Sequence, residues 1–210
     1  MKAAVTSLLA EKKTDPAQAR ELLTIINEEC DRLNHLVEEA AEMARLEAGE
    51  VELRFIPVEV SEIVQAALAQ TKSAMAGRTV LLHLNAGLPR VQADPDRAKD
   101  ALVKLIDNAD LYSPKEEPIT ISAELTGECV MISVADRGPG IDDFEQAMIF
   151  DKFYRGKDQR YLVRGTRMGL PIAKAIIAAH KGTIGVTSQL GDGSVFSVTL
   201  PVAAKVEEVR

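Results

Sequence analysis

The stretch CVMISVADRGPGI, Cys129–Ile141, decides the fold. Its first seven residues are apolar or small and of strand length. They run directly into Asp136 and two closely spaced glycines, Gly138 and Gly140. Glycine permits positive φ and lets a ligand come close to the main chain. A carboxylate at a strand end can accept a hydrogen bond from an adenine amino group, whereas guanine presents a carbonyl there and is repelled. A glycine-rich turn with a solvated aspartate fits the same residues, so this stretch alone leaves both readings open.

Outward from it the pattern is mixed. Ile119–Leu125 precedes it across Thr126-Gly127-Glu128, which predicts a hairpin. Thr183–Ser188 and Ser194–Leu200, turning at Gly191-Asp192-Gly193, predict a second. Thr79–Leu84 is a further β-run, and Val51–Phe55 and Val58 look extended around Pro57. Helices open at Ser61, at Asp94-Pro95-Asp96 and at Gly169, the last running to about His180. Strands interleaved with helices, and hairpins in place of strict βαβ alternation, predict an α+β sandwich with one helical layer on a mixed sheet.

Before Gly49 the chain reads almost wholly as helix: a short piece, Lys2–Glu11, then a long run from Pro16 to Ala48. Asp15 before Pro16 is a good start, and Gly49 is a good stop. Leu23, Ile26, Cys30, Leu33, Val37, Ala40 and Ala44 form a heptad seam, widened by Leu22, Leu36 and Met43. A seam this wide needs partner helices, and a four-helix bundle made by two chains is the simplest supply. Residues 1–50 are therefore expected to be a dimerising helical segment and 51–210 a separate α+β domain.

Composition narrows the function. Of 210 residues 46% are hydrophobic and 27% charged, with a net charge of −7. That argues for a real core and against a nucleic-acid partner. No apolar run is long enough for a membrane span, and no Cys/His spacing suits zinc. Cys30 and Cys129 are expected to be buried thiols in a reducing cytoplasm.

Three further segments carry chemistry. On a helix, Lys104, Asn108, Leu111 and Tyr112 share a face, and an asparagine carbonyl is a hard-oxygen ligand suited to Mg²⁺. Gly165-Thr166-Arg167-Met168-Gly169-Leu170 runs from a long loop into a helix, whose N-terminal N–H groups form an anion site. Between them, in the charged loop from Asp142 to Gly165, Phe150 and Phe153 read as plugs that dock the loop, with Tyr154 and Arg155 beside them. Arg155 could then reach phosphate charge.

In this order and spacing the four segments resemble the asparagine, first glycine, phenylalanine and second glycine boxes of bacterial sensor histidine kinases, which carry the Bergerat ATP-binding fold. Ala44-Arg-Leu-Glu-Ala-Gly-Glu50 is similar to the end of that family's dimerisation helix. The resemblance implies that Asp136 holds adenine beside Gly138 and Gly140, and that Asn108 holds Mg²⁺. It implies that Phe150 and Phe153 anchor an ATP lid. Tyr112, Tyr154, Arg155, Gly165, Thr166, Gly169 and Leu170 would border the nucleotide. The implied activity is transfer of the γ-phosphoryl group of Mg²⁺·ATP to a histidine, then to an aspartate of a response regulator receiver domain.

Three departures qualify the resemblance. None of His35, His83 and His180 has the context of a phosphoacceptor, so the sequence is expected to be either a fragment whose acceptor lay upstream of Met1 or a natural short form, and alone it is not expected to autophosphorylate. Lys104 and Leu111 stand where the family has Asn and often Lys. Arg167 stands where it has Gly. These substitutions keep a second reading open, a degenerate nucleotide-binding or dimerisation module without turnover.

Overall fold

The computed structural model describes residues 15–152, 154 and 168–204. The described chain falls into two compact units that divide between Glu42 and Met43.

The described residues of the first unit lie in one long helix, α1 (Pro16–Glu47), whose residues from Met43 onward belong to the second unit. Its end is set by Gly49 at φ 68°, where Gly49 N–H donates to Leu46 O and Glu50 N–H to Arg45 O. These two bonds close the helix in the usual glycine-terminated way. Of the seven seam residues only Ile26 is half-buried, and Leu23, Leu33 and Val37 lie 56%, 48% and 69% exposed; of the three that widen it, Leu22 and Leu36 are half-buried and Met43 is buried. Cys30, on the same stripe, is exposed, and Cys129 at the start of its strand is half-buried. The expectation that both thiols are buried is therefore wrong, because one stripe faces outward and the other residue sits at a sheet end.

The second unit continues with β1 (Ile56–Val58), α2 (Val60–Thr71), β2 (Val80–Leu84), β3 (Val91–Ala93) and α3 (Pro95–Tyr112). Then come β4 (Ile119–Thr126), β5 (Cys129–Ala135), α4 (Asp143–Gln146), α5 (Gly169–Ala179), β6 (Ile184–Gln189) and β7 (Gly193–Pro201). The main sheet has the order β2-β4-β5-β7-β6, with β2 parallel to β4 and the other pairs antiparallel. β1 and β3 pair separately. Both anticipated hairpins and all three anticipated helices form. The three-residue β3 and the single-turn α4 are too short to show a period, and the sequence does not announce them.

Register makes the sheet one-sided. Ile121, Val134 and Phe196 line up across three strands, and so do Ala123, Ile132 and Val198; all are buried. The opposite face carries Ser122, Ser133 and Ser197 in one row, with the last two hydroxyls 2.8 Å apart. The buried face is covered by α3 and α5, and α2 packs against α3. Leu102, Leu105 and Ile106 of α3 and Ile172, Ile176 and Ile177 of α5 are essentially inaccessible. Each such side chain contributes about 1.5–3 kcal/mol by leaving water.

α3, which carries several candidate site residues, is held firmly at its start. Asp94 caps it: Oδ1 accepts from Arg97 N–H and Oδ2 from Arg54 N–H. Asp94 N–H donates in turn to Nε2 of the buried His180, whose Nδ1 lies 2.8 Å from Ile176 O. This pattern requires the neutral tautomer with the proton on Nδ1. One imidazole thus ties the end of α5 to the start of α3, with the Phe55 ring edge-on at 5.4 Å. His180 thus serves the ends of two helices at once.

Candidate functional site

Asp136 follows β5 without a break: its N–H donates to Ser194 O, extending the ladder to β7 by one residue. The residue is only 6% exposed. Its Oδ1 accepts from Gly138 N–H at 2.7 Å. Burial raises the pKa of this carboxyl; the backbone hydrogen bonds of Gly138 and Ser194 and the charge of Arg78 only partly oppose it.

The glycines do two different things. At Gly138 a Cβ would stand 2.8 Å from Asp136 Oδ1 and 3.0 Å from Tyr112 O, so this position needs close approach and not positive φ. Gly140 has φ 75°, and a Cβ there would stand 2.1 Å from Gln189 O. The loop between them is stitched to the β6–β7 hairpin. Ile141 N–H donates to Ser188 Oγ, Gly191 N–H to Pro139 O, and the Gln146 amide to Ile141 O and Ser188 O. Gly193 closes the arrangement from beneath: at φ 94°, its Cβ would stand 2.1 Å from Asp136 O. Gly193, Ser188 and Gln146 were not recognised in the sequence as site residues, because their role depends on a turn more than forty positions away.

α3 forms the side wall. Lys104, Asn108 and Tyr112 are half-buried at one-turn intervals, whereas Leu111 points away and is 46% exposed. Tyr112 brings its carbonyl against Gly138, and Arg137 N–H donates to Ser113 Oγ at 3.3 Å. At the other end, a Cβ on Gly169 would meet the Lys104 stem at 3.6 Å, so Lys104 runs alongside the first residue of α5. The first N–H groups of that helix have no acceptor within it, which leaves them for an anion. Asn108 lies between these ends on α3. Among the described residues no cluster of three His, Cys, Asp or Glu could hold a metal ion. A cation at this wall would take one amide oxygen from Asn108 and its other oxygens from water and a ligand, a donor set that suits Mg²⁺.

The loop after α4 docks as expected at Phe150, which packs edge-on to the buried Phe196 at 6.4 Å and lies beneath Lys174 Nζ at 5.9 Å. Tyr154 donates to Glu145 Oε1, and desolvation and that carboxylate raise its pKa. Phe153, Arg155, Gly165, Thr166 and Arg167 lie outside the described residues.

The sequence also gave no sign of Arg78. Its side chain is fully buried between the chain before β2 and the turn after α3, paired with Asp110 at 2.6 Å.

Residues 93–204 match the model of a family described as histidine kinase-, DNA gyrase B-, and HSP90-like ATPase. The chain is 31% identical over 196 residues to the adaptive-response sensory kinase SasA of Synechococcus sp. (strain JA-2-3B'a(2-13)), covering 91% of this chain and 52% of that one. It is 35% identical over 175 residues to the sensor-like histidine kinase SenX3 of Mycobacterium tuberculosis (strain ATCC 25618 / H37Rv), covering 82% and 43%. The chain thus spans about half the length of the curated relatives it matches. Among solved structures it is similar to full-length ShkA in complex with AMPPNP, with TM-score 0.74, 28% identity, and 96% and 42% coverage. It is also similar to the Acinetobacter baumannii histidine kinase AdeS, with TM-score 0.69, 25% identity, and 97% and 93% coverage.

Proposed function

The chain belongs to the histidine kinase-, DNA gyrase B-, and HSP90-like ATPases, as a sensor histidine kinase catalytic core, and from that premise we propose that it binds Mg²⁺·ATP and passes the γ-phosphoryl group to a histidine. The observation that carries this reading is Asp136, buried at the end of β5 beneath a glycine that leaves no room for a side chain. Its carboxylate accepts the amino hydrogen of adenine, and Gly138 lets the base lie against the Tyr112 carbonyl. From there the Lys104–Asn108–Tyr112 face of α3 rises by about 12 Å, a reach suited to an extended nucleoside triphosphate. The phosphates end at Gly169 and Leu170, over the first turn of α5, with the Lys104 stem alongside.

Asn108 would hold a magnesium ion through its amide oxygen, and the chemistry such an ion would supply is neutralisation of phosphate charge. Every other contribution of this chain is positional. Asp136 and Gly138 set the base, the α5 terminus and Lys104 set the phosphate end, and Phe150 seats the root of the lid. Arg155 is assigned to phosphate charge on the same reading, with Tyr154, Gly165 and Thr166 bordering the nucleotide. In-line placement and charge neutralisation supply the acceleration.

Residues 1–50 serve as the dimerisation segment and 51–210 as the ATP-binding domain. The exposed Leu23, Leu33 and Val37 are the surface that a second copy covers. A response regulator receiver domain then takes the phosphoryl group onto an aspartate, in the cytoplasm. Among the described residues no helix is long and apolar enough to cross a membrane.

Titration calorimetry with Mg²⁺·ATP tests the reading. Binding in the micromolar range is expected, with Asp136→Ala weakening it about 100-fold through loss of a charged hydrogen bond. GTP should not compete. Equal affinity of wild type and Asp136→Ala would refute it. Supplying a histidine-bearing helical hairpin from a relative, with labelled ATP, should give a phosphoryl adduct that is labile in acid and stable in base.

A further inference from the structure

The guanidinium of Arg78 is a fully hydrogen-bonded, buried group that the mechanism above does not use. Its side chain has no exposure to solvent. Nε donates to Asp110 Oδ1 at 2.6 Å. Nη1 donates to Pro114 O at 2.8 Å and Glu117 O at 2.9 Å, and Nη2 to Asp110 O at 3.2 Å and Ser113 O at 2.9 Å. A guanidinium has five N–H donors, and each one has an acceptor here. Four of the acceptors are main-chain carbonyls at and beyond the end of α3. Helix ends leave such carbonyls without partners, and a cation there also suits the helix dipole. Lysine could not replace this fork, since its ammonium has three donors and no fixed plane.

A cap of this strength could be merely structural. What links it to the site is where the captured turn leads. Ser113, whose carbonyl Arg78 holds, turns its hydroxyl to accept from Arg137 N–H at 3.3 Å. Tyr112, one residue earlier, brings its carbonyl to the position that only a glycine at 138 tolerates. The loop with Asp136 therefore rests on the turn after α3 at two points, and Arg78 holds that turn. Resting on the nucleotide-site reading above, we infer that Arg78 is a positioning residue for the base: its guanidinium clasps the turn after α3 and thereby fixes the loop that presents Asp136 to adenine.

The charge of the clasp reaches the site as well. Arg78 lowers the pKa of Asp136 against the effect of burial. Arg137 adjoins Asp136 in sequence, and Asp110 is paired with both Arg78 and Lys115, at 2.6 and 2.7 Å. The ionised carboxylate accepts the adenine amino group, so affinity falls as pH drops through the pKa of Asp136. Removing the Arg78 charge raises that pKa, and the fall then occurs at higher pH.

Three variants of the full chain separate the parts: Arg78→Lys keeps charge without the fork, Arg78→Gln loses both, and Ser113→Ala cuts only the hydroxyl link to Arg137. Binding of Mg²⁺·ATP and of adenosine is measured by calorimetry between pH 5 and 8, alongside thermal melting. Both Arg78 variants should weaken adenosine and ATP alike, by about 10-fold or more, because the lost geometry lies at the base. Only Arg78→Gln should also move the pH midpoint of affinity upward, which a structural cap alone would not do. Ser113→Ala should weaken both ligands severalfold with a near-normal melt. Arg78→Gln that folds and binds adenosine like wild type at every pH would overturn the inference. If both Arg78 variants fail to fold, Ser113→Ala decides, and unchanged affinity there overturns it. Asp136→Ala run beside them distinguishes the two failures: if it binds ATP normally, the site reading itself is wrong.

Discussion

Asp94 and Asp136 stand at opposite ends of the same helix wall, and the protein treats their carboxyls in opposite ways. For Asp94 burial would raise the pKa, but backbone hydrogen bonds from Arg54, Arg97 and Asp96 outweigh it and hold the group below 3.8. For Asp136 burial wins, and the group stands above that value. The first carboxylate is surrounded by donors belonging to the chain. The second is buried with hydrogen-bond capacity to spare and opens on a face where only glycine fits. A carboxylate that builds the fold is saturated by it; one that recognises a ligand is left for the ligand to complete.

The strongest way to break this contrast is to push the Asp136 end out of place while leaving its carboxyl intact. Gly193→Ala does so, because the new methyl would stand 2.1 Å from Asp136 O, at a φ of 94°. Positive φ and overpacking together should cost roughly 2–5 kcal/mol, and ATP affinity should fall with it. Gly127→Ala is the matched control: φ is 59° at the other hairpin, with nothing within 4 Å. It should cost only about 1–2 kcal/mol and leave binding alone. Equal losses of affinity in the two variants, by calorimetry, would show that the pressure on Asp136 is irrelevant.

The Asp94 end is tested next. Asp94→Ala removes a helix cap and should destabilise the protein by about 1–2 kcal/mol, read by denaturant unfolding, with ATP affinity unchanged in the folded protein. The sign of its pH dependence follows from its lowered folded pKa. The stabilisation is fully present above about 3.8 and is lost as pH falls through the lower folded value. The difference between wild type and Asp94→Ala should therefore shrink only in strong acid.

The contrast also shows what a sequence can reveal. Asp94-Pro95 and Asp136-x-Gly-x-Gly were both legible, because a cap and a strand-end glycine loop are local patterns with local causes. The strand-length runs of β4, β5 and β7, bounded by glycine-containing turns, likewise exposed the sheet. Arg78 was not legible: its acceptors are spread over residues 110–117, and nothing near position 78 marks it as different from a surface arginine. Gly193 looked like an ordinary hairpin glycine until β7 placed it under Asp136. Cys30 was read as buried because an unpaired cysteine without metal-ligand spacing is ordinarily a core residue, but it lies on a heptad stripe, which says only that something must cover it, not that this chain does. Asn108 and Tyr112 were found by spacing, while Leu111, grouped with them by the same rule, turns outward at 46% exposure. Helical spacing defines a face to within a residue or so, and the packing of α5 against α3 draws the line.

The smallest effect is the most discriminating. Asp136→Asn keeps an oxygen to accept from Gly138 N–H but removes a charge that burial penalises. Because the folded pKa is raised, the native state holds its proton more tightly than the unfolded state, and stability falls as pH climbs from 3.8 through the folded value. The neutral amide escapes that loss. Asp136→Asn should melt higher than wild type at pH 7, and the gap should close as the medium is acidified below 3.8, while ATP binding at pH 7 is weakened by no more than the roughly 100-fold expected of Asp136→Ala. At Asp94 the same exchange should lower the melting temperature at pH 7, because there the charge is what the N–H donors stabilise. A destabilised Asp136→Asn at neutral pH would mean that the fold itself needs the negative charge, and that its donors had been undercounted. Opposite signs from one chemical substitution at the two ends of one wall would separate the carboxylate kept for structure from the one kept for adenine.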